Sequence, residues 1–142
     1  MNDAAGYQGI FLINALNLHK NTVHSLWKLS KQQNRLLKSR RYTKLFASKH
    51  DKETLIQSLK KWAAEIRYYY DNWNTLENAL REEDRAHVLS LIDKISDLIE
   101  NTLIIENENR TLLEKRRREL IRDLGTVDFY QECLFNVLEN RN

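Results

Sequence analysis

The residues that could perform chemistry are few, and their spacing does not suit catalysis or metal binding. The chain has one cysteine, Cys133, and four histidines: His19, His24, His50 and His87. A di-iron site in a helical bundle needs Glu-x-x-His on two helices, and only Asp84 to His87 approaches that spacing, once. No glycine-rich loop is present to hold a phosphate. We therefore expect no catalytic site, no metal and no cofactor, a buried and unreactive Cys133, and a protein that is not an enzyme.

Charge is distributed unevenly along the 142 residues. Residues 1–71 carry 13 Lys or Arg against 5 Asp or Glu, and residues 72–142 carry 10 against 15, which gives +8 and −5. This asymmetry favours two halves that fold against each other, although a basic surface for nucleic acid is the alternative. The residues of this basic stripe are Lys28, Lys31, Arg35, Lys38, Arg40, Arg41 and Lys44.

The elements that must position these side chains are predicted to be helices. The chain has no proline and only three glycines, whereas sheets need turns rich in both. Apolar residues recur at steps of three and four, which is typical of amphipathic helices. The prediction is an all-α, single-domain, antiparallel helical bundle of three long helices plus a short C-terminal helix. The predicted helices span 10–39, 42–80, 84–124 and 128–138, with 1–9 flexible.

The third predicted helix has the clearest apolar periodicity, and two polar residues interrupt it. Its seam carries Asn109 and Arg116 at positions that are normally apolar. We expect this seam to be incompletely filled by the chain itself, which indicates a partner helix. Gly125 follows the last periodic residue and is predicted to end the helix in a left-handed conformation.

Two stretches of the chain carry a family pattern. The first is LWKLSKQQNRLLKS at 26–39, followed by Leu45-Phe46 and by a helix over 52–59. The second, 105–125, places an acidic, asparagine-rich stretch before Leu-x-x-x-Arg-x-x-x-Leu and a break. Together they resemble flagellar export chaperones of the FlgN/FliT type, and the resemblance covers about residues 20–138.

The resemblance implies a cytoplasmic chaperone that binds an amphipathic terminal helix of a flagellar axial protein before type III secretion. The clients of that family are hook-associated or filament-cap proteins, and the pair is then passed to the export apparatus. Tyr130 is the nearest match to the C-terminal tyrosine with which family members dock at the export gate. The implied client-binding residues are Leu112, Leu113, Arg116, Leu120, Leu124, Phe129 and Phe135.

Two other functions stay open from the residues alone. One is a coiled-coil adaptor or structural subunit whose seam pairs with a second copy in a homodimer. The other is a nucleic-acid-binding helical protein that uses the basic stripe, although we expect a protein partner rather than nucleic acid. A lone cysteine favours a reducing compartment, the apolar run 10–13 has no basic residue before it, and no stretch is apolar enough to span a membrane. The predicted location is the cytoplasm.

Overall fold

A computed structural model describes the backbone of residues 3–139 and the side chains of 7–125, 131–134 and 136. Over this part of the chain every element is helical and no strand occurs, so the predicted all-α class is confirmed. None of the described helices is long and apolar enough to cross a membrane. The helices are α1 (Asp3–Lys38), α2 (Tyr42–Ala47), α3 (Lys49–Asp71), α4 (Trp73–Ala79) and α5 (Glu82–Glu139).

Helix α1 lies between α3 and α5, and both pack against it. Ser30 bonds to Glu106 and the carbonyl of Leu37 accepts from Arg116, so positions along α1 and α5 rise together and the two helices are parallel. Helix α3 runs the opposite way, since Lys52 contacts Gln33 near one end of α1. Helices α1 and α5 are therefore parallel to each other, and α3 is antiparallel to both.

The apolar core lies at one end of the bundle, where the N-terminal parts of α1 and α5 meet α4. Gly9 belongs to this region: a Cβ atom added to it would lie 2.5 Å from Cδ2 of Leu80. The absence of a side chain at Gly9 allows α1 to approach Leu80 closely. Helix α1 begins at Asp3, seven residues before the predicted start at residue 10. The buried cluster comprises Leu12, Leu16, Leu76, Leu80, Val88, Leu91 and Ile95.

The second predicted helix, 42–80, is divided into α2, α3 and α4. Ser48 interrupts it first, because its hydroxyl donates to the carbonyl of Leu45 and accepts from Gln33 in a buried position. Asn72 interrupts it again, and its side chain bonds back to the carbonyl of Tyr68. Both residue types compete with helical backbone hydrogen bonds through their side chains.

The joint between α1 and α2 lies at Arg40 and Arg41, in the gap between the predicted helices 10–39 and 42–80. Arg40 has a positive φ of 58°, and its N–H donates to the carbonyl of Leu37 while that of Arg41 donates to Leu36. This is the hydrogen-bond pattern of a Schellman C-cap, in which glycine usually occupies the left-handed position. An arginine here accepts some strain to end α1.

Helix α5 is continuous where a break was predicted. Gly125 lies inside it without a positive φ, so the predicted helices 84–124 and 128–138 form one element. A glycine within a helix costs only about 1 kcal/mol relative to alanine. All the described side chains between Leu120 and Asn136 are exposed. Helix α5 therefore extends beyond the end of α1 with little covering it.

Candidate protein-binding surface

The C-terminal half of α5 carries large apolar side chains that the other described residues leave about half exposed. Leu113, Leu120 and Leu124, which we call the leucine face, are 49%, 46% and 64% exposed. On the side of α5 that packs against α1, Val88 and Leu91 are almost fully buried. Exposed apolar patches of this kind mark interaction surfaces in soluble proteins.

The other residues expected on this surface lie in different surroundings. Leu112 is half-buried on the side of α1. Arg116 is only 12% exposed, because its Nε donates to the carbonyl of Leu37 at 3.3 Å and its Nη1 to Glu119 at 3.0 Å. It thus satisfies a carbonyl at the C-terminal end of α1. The side chains of Phe129, Tyr130 and Phe135 lie outside the described residues.

The seam around Asn109, expected to be incomplete, is filled by α1. Nδ2 of Asn109 donates to the carbonyl of Ser30 at 2.9 Å, and its Oδ1 accepts from Asn34 at 3.0 Å. One turn away, Glu106 accepts from the hydroxyl of Ser30 and from Nζ of Lys52, both at 2.6 Å. The polar seam residues therefore join α1, α3 and α5, and they require no partner helix.

Among the described side chains, the basic first half of the chain meets acidic residues of α5 at three ion pairs. These are Lys38–Glu108 at 3.1 Å, Arg40–Glu119 at 3.4 Å and Lys52–Glu106 at 2.6 Å. Hydrogen bonds from Asn34 and Lys38 hold the pKa of Glu108 below its usual value. A hydrogen bond from Arg116 lowers the pKa of Glu119.

The basic stripe is therefore only partly a free surface. Lys38 and Arg40 contact the glutamates of α5, and Nζ of Lys31 lies 4.3 Å from the ring centre of Trp27. The remaining four residues are exposed: Lys28, Arg35, Arg41 and Lys44. Acidic side chains next to the stripe weaken its attraction for phosphates.

A second apolar surface, which the sequence did not predict, lies between α3 and α5. Two adjoining hollows of about 610 and 420 Å³ share His19, Ala63 and Ile99; together they form the α3–α5 groove. No residue of α3 is buried, which shows how little covers this helix. The sequence signal for this groove was the apolar residue type of Ile92 and Ile99, which lie beside the seam that contacts α1.

One polar atom in the α3–α5 groove lacks a hydrogen-bond partner. Nδ1 of His19 is buried and unpaired among the described residues, and burial lowers the pKa of the imidazole. Among the described side chains, no three His, Cys, Asp or Glu residues lie together in a way that could hold a metal ion. Cys133 is exposed on α5, contrary to the expectation of a buried thiol.

Comparison with known proteins adds no relative: no family model, no curated protein and no solved structure matches this chain.

Proposed function

We propose that this protein is an export chaperone that binds an amphipathic helix of a flagellar axial protein before type III secretion. The leucine face is the observation that supports this proposal. Leu113, Leu120 and Leu124 lie along one side of a helix that extends beyond the rest of the bundle. The family pattern in 26–59 and 105–125 points to the same class of partner.

The dimensions of the leucine face suit a helical client. Leu113 and Leu124 are separated by about 16 Å at 1.5 Å per residue, which corresponds to about three helical turns. A client with apolar residues at i, i+3 or i+4 and i+7 matches such a stripe. Each leucine is about half exposed, so its burial contributes about 1 kcal/mol. A face of this size holds a client reversibly, which suits a chaperone that must release its cargo.

Charge beside the leucine face favours an acidic flank on the client. Arg117 and Arg118 are exposed on α5, whereas Arg116 contacts Leu37 and Glu119. In this proposal Arg117 and Arg118 meet the client carboxylates, and Arg116 holds α1 against α5. The engagement of Lys38 and Arg40 by glutamates favours a protein partner over nucleic acid.

The remaining parts of the proposal concern the cell. The chaperone acts in the cytoplasm and delivers its hook-associated or filament-cap client to the export apparatus. Tyr130 is the candidate contact with that apparatus, and Phe129 and Phe135 are candidates for extending the client-binding surface.

The variant Leu120→Asp tests this proposal against Leu89→Asp as the matched control. Leu120 and Leu89 are 46% and 47% exposed on the same helix, but only Leu120 belongs to the leucine face. Calorimetric titration with the terminal helix of a hook-associated or filament-cap protein should show lost binding for Leu120→Asp and unchanged binding for Leu89→Asp. The melting temperature should stay close to that of the unmodified protein in both variants.

Two results would contradict the proposal. If the unmodified protein binds neither class of terminal helix, the client assignment is wrong. If Leu120→Asp unfolds the protein, the leucine face belongs to the core and is not a binding surface.

A further inference from the structure

The three long helices of the bundle leave one apolar side uncovered. Among the described residues, α3 and α5 each pack against α1, but they make little contact with each other apart from the Lys52–Glu106 ion pair. In a four-helix bundle the two helices that flank a third also flank a fourth, which completes the core. In this protein the α3–α5 groove lies at the place of that fourth helix.

The α3–α5 groove is apolar over about three helical turns. Its floor is formed by α1, through Leu16, Val23 and Leu26. Along α5 its wall extends from Ile92 to Leu103, a distance of about 16 Å at 1.5 Å per residue. The large apolar side chains of both walls are 40% to 77% exposed, at Tyr70, Ile92, Ile99 and Leu103.

This shape suits a helix better than a small molecule. Sites for small ligands enclose most of the ligand surface, whereas walls as exposed as these would leave such a ligand largely in water. A helix that lies between α3 and α5 covers the apolar walls with one face and keeps its polar face in solvent.

The two rims of the groove carry opposite charges. The α3 rim presents Lys60 and Arg67, which are seven residues apart, with Asp71 at one end. On α5 the exposed residues Asp93 and Glu100 each follow an isoleucine of the wall, and they are also seven residues apart. None of these five side chains forms an ion pair with another described residue. Their charges are therefore available to a partner.

We propose that the α3–α5 groove binds an amphipathic helix of another protein, about three turns long and charged oppositely on its two edges. Apolar residues at i, i+3 or i+4 and i+7 cover the floor. Acidic residues on one edge meet Lys60 and Arg67, and basic residues on the other edge meet Asp93 and Glu100. These charges also set the direction of the bound helix, because turning it end for end would exchange its two edges.

The leucine face of a second copy fits this groove less well. Arg117 lies on the same side of α5 as Leu113 and Leu120, four residues after the first and three before the second. Docking of that side would place the guanidinium of Arg117 against the apolar floor, where it has no partner. The occupant that we assign is therefore a helix of a different protein.

A designed peptide of about 18 residues, long enough to form a helix when bound, is the probe for this proposal. It carries leucine on one face, glutamate along one edge of that face and lysine along the other. Ala63 lines both hollows, whereas Ala64, the next residue and also exposed, lines neither. We expect Ala63→Gln to raise the dissociation constant of the labelled peptide by about tenfold or more, because the longer side chain occupies the groove, and Ala64→Gln to leave it unchanged.

Fluorescence anisotropy measures this binding, and the melting temperature confirms that both variants fold. An unmodified protein that does not bind the peptide would overturn the proposal. Equal effects of Ala63→Gln and Ala64→Gln would overturn it as well, since the peptide would then bind outside the groove.

A second pair of variants tests the assigned edges. Lys60 lines the groove, whereas Lys61 lies over the ring of Trp62, and Lys60→Glu and Lys61→Glu change the net charge equally. We expect Lys60→Glu to weaken peptide binding by about threefold to tenfold at low salt and Lys61→Glu to have little effect. The difference should diminish at high salt. Equal weakening by both variants would show a general charge effect and contradict the assigned edges.

Sedimentation equilibrium of the full chain tests a second copy as the occupant. If the unmodified protein forms a dimer that Ala63→Gln dissociates and Ala64→Gln does not, the groove holds a second copy and the proposal is wrong. A monomer, or a dimer that neither variant changes, supports a groove that is free for another protein.

This inference does not rest on the proposed function, because the α3–α5 groove and the leucine face share no residue. Leu120→Asp should therefore bind the designed peptide as the unmodified protein does. A protein that binds the peptide but no client overturns the proposed function alone, and a protein that binds the client but not the peptide overturns the groove proposal alone.

Discussion

Glu106 is the residue at which three helices are held together. Its two carboxylate oxygens accept from Ser30 of α1 and from Lys52 of α3, each at 2.6 Å. The side chains of Glu106 and Lys52 are about one quarter exposed, so water screens this pair less than it screens the exposed pairs Lys38–Glu108 and Lys49–Glu53. A charge that loses its partner in such a position is costly because the desolvation is not recovered.

Removal of Lys52 should therefore destabilise the fold more than removal of an exposed lysine. We expect Lys52→Met to lower the free energy of unfolding by about 1 to 3 kcal/mol. Lys49→Met should change it by less than about 0.5 kcal/mol, because Lys49 and Glu53 are exposed and 4.0 Å apart. Urea denaturation measures both variants. Adding Glu106→Gln to Lys52→Met should recover part of the lost free energy of unfolding. Equal losses in Lys52→Met and Lys49→Met would show that the Lys52–Glu106 pair contributes no more than an exposed pair.

His19 should make stability depend on pH. Burial lowers its pKa in the folded protein, so below about pH 6.5 the unfolded chain binds a proton that the folded chain does not. The free energy of unfolding is therefore not reduced by His19 above about pH 6.5, and it decreases as the pH falls below that value. The difference in unfolding free energy between His19→Leu and the unmodified protein, measured by urea denaturation at several pH values, should shift in favour of the variant on acidification.

Helix α5 combines two environments in one element. Its first part is covered by α1, whereas the described side chains from Leu120 onward are exposed. Its continuity in the exposed part depends on local helix propensity more than on tertiary contacts. Gly125, inside this part with no atom within 4 Å of an added Cβ, is its weakest residue.

Gly125→Ala should strengthen the C-terminal part of α5. Alanine is favoured over glycine in a helix interior by about 1 kcal/mol, and the open space around Gly125 accommodates the methyl group. We expect greater helical circular dichroism at 222 nm and slower amide exchange around residue 125. If the helix instead ended at Gly125 in a left-handed conformation, alanine would be strained there and helicity would fall.

At the scale of the whole molecule, the basic and acidic halves of the chain are brought into contact. Lys38, Arg40 and Lys52 of the first half meet glutamates of α5. Two of these pairs are largely exposed on at least one side, and exposed pairs contribute about 0 to 1 kcal/mol each. Burial of apolar side chains therefore provides most of the stability, and charge adds a smaller, salt-sensitive part.

Salt should reduce stability slightly. Raising sodium chloride from low to high concentration screens the exposed pairs, and we expect the melting temperature to fall by a few degrees. Lys38→Met should show a smaller fall than the unmodified protein, since its pair with Glu108 is already absent. Scanning calorimetry measures both, and an unchanged or raised melting temperature would show that pairing between the halves contributes little.

The sequence by itself determined that the chain is helical and that a break between two helices lies at residues 40 and 41. Apolar spacing and the lack of proline are local properties, so they predict helices without knowledge of what covers them. Spacing also located the apolar residues of α5, including Leu113, Leu120 and Leu124.

Only the tertiary structure decided which of these residues are covered. Asn109 and Arg116 sit at seam positions that suggested a missing partner, yet side-chain and backbone groups of α1, some 75 to 79 residues earlier in the chain, satisfy both. Ser48 divides a predicted helix because its hydroxyl meets Gln33 of another helix. Gly125 does not end α5, although a glycine inside a helix costs about 1 kcal/mol relative to alanine. Apolar periodicity does not reveal which residues from distant parts of the sequence pack against α5. These residues determine which side of α5 is left exposed.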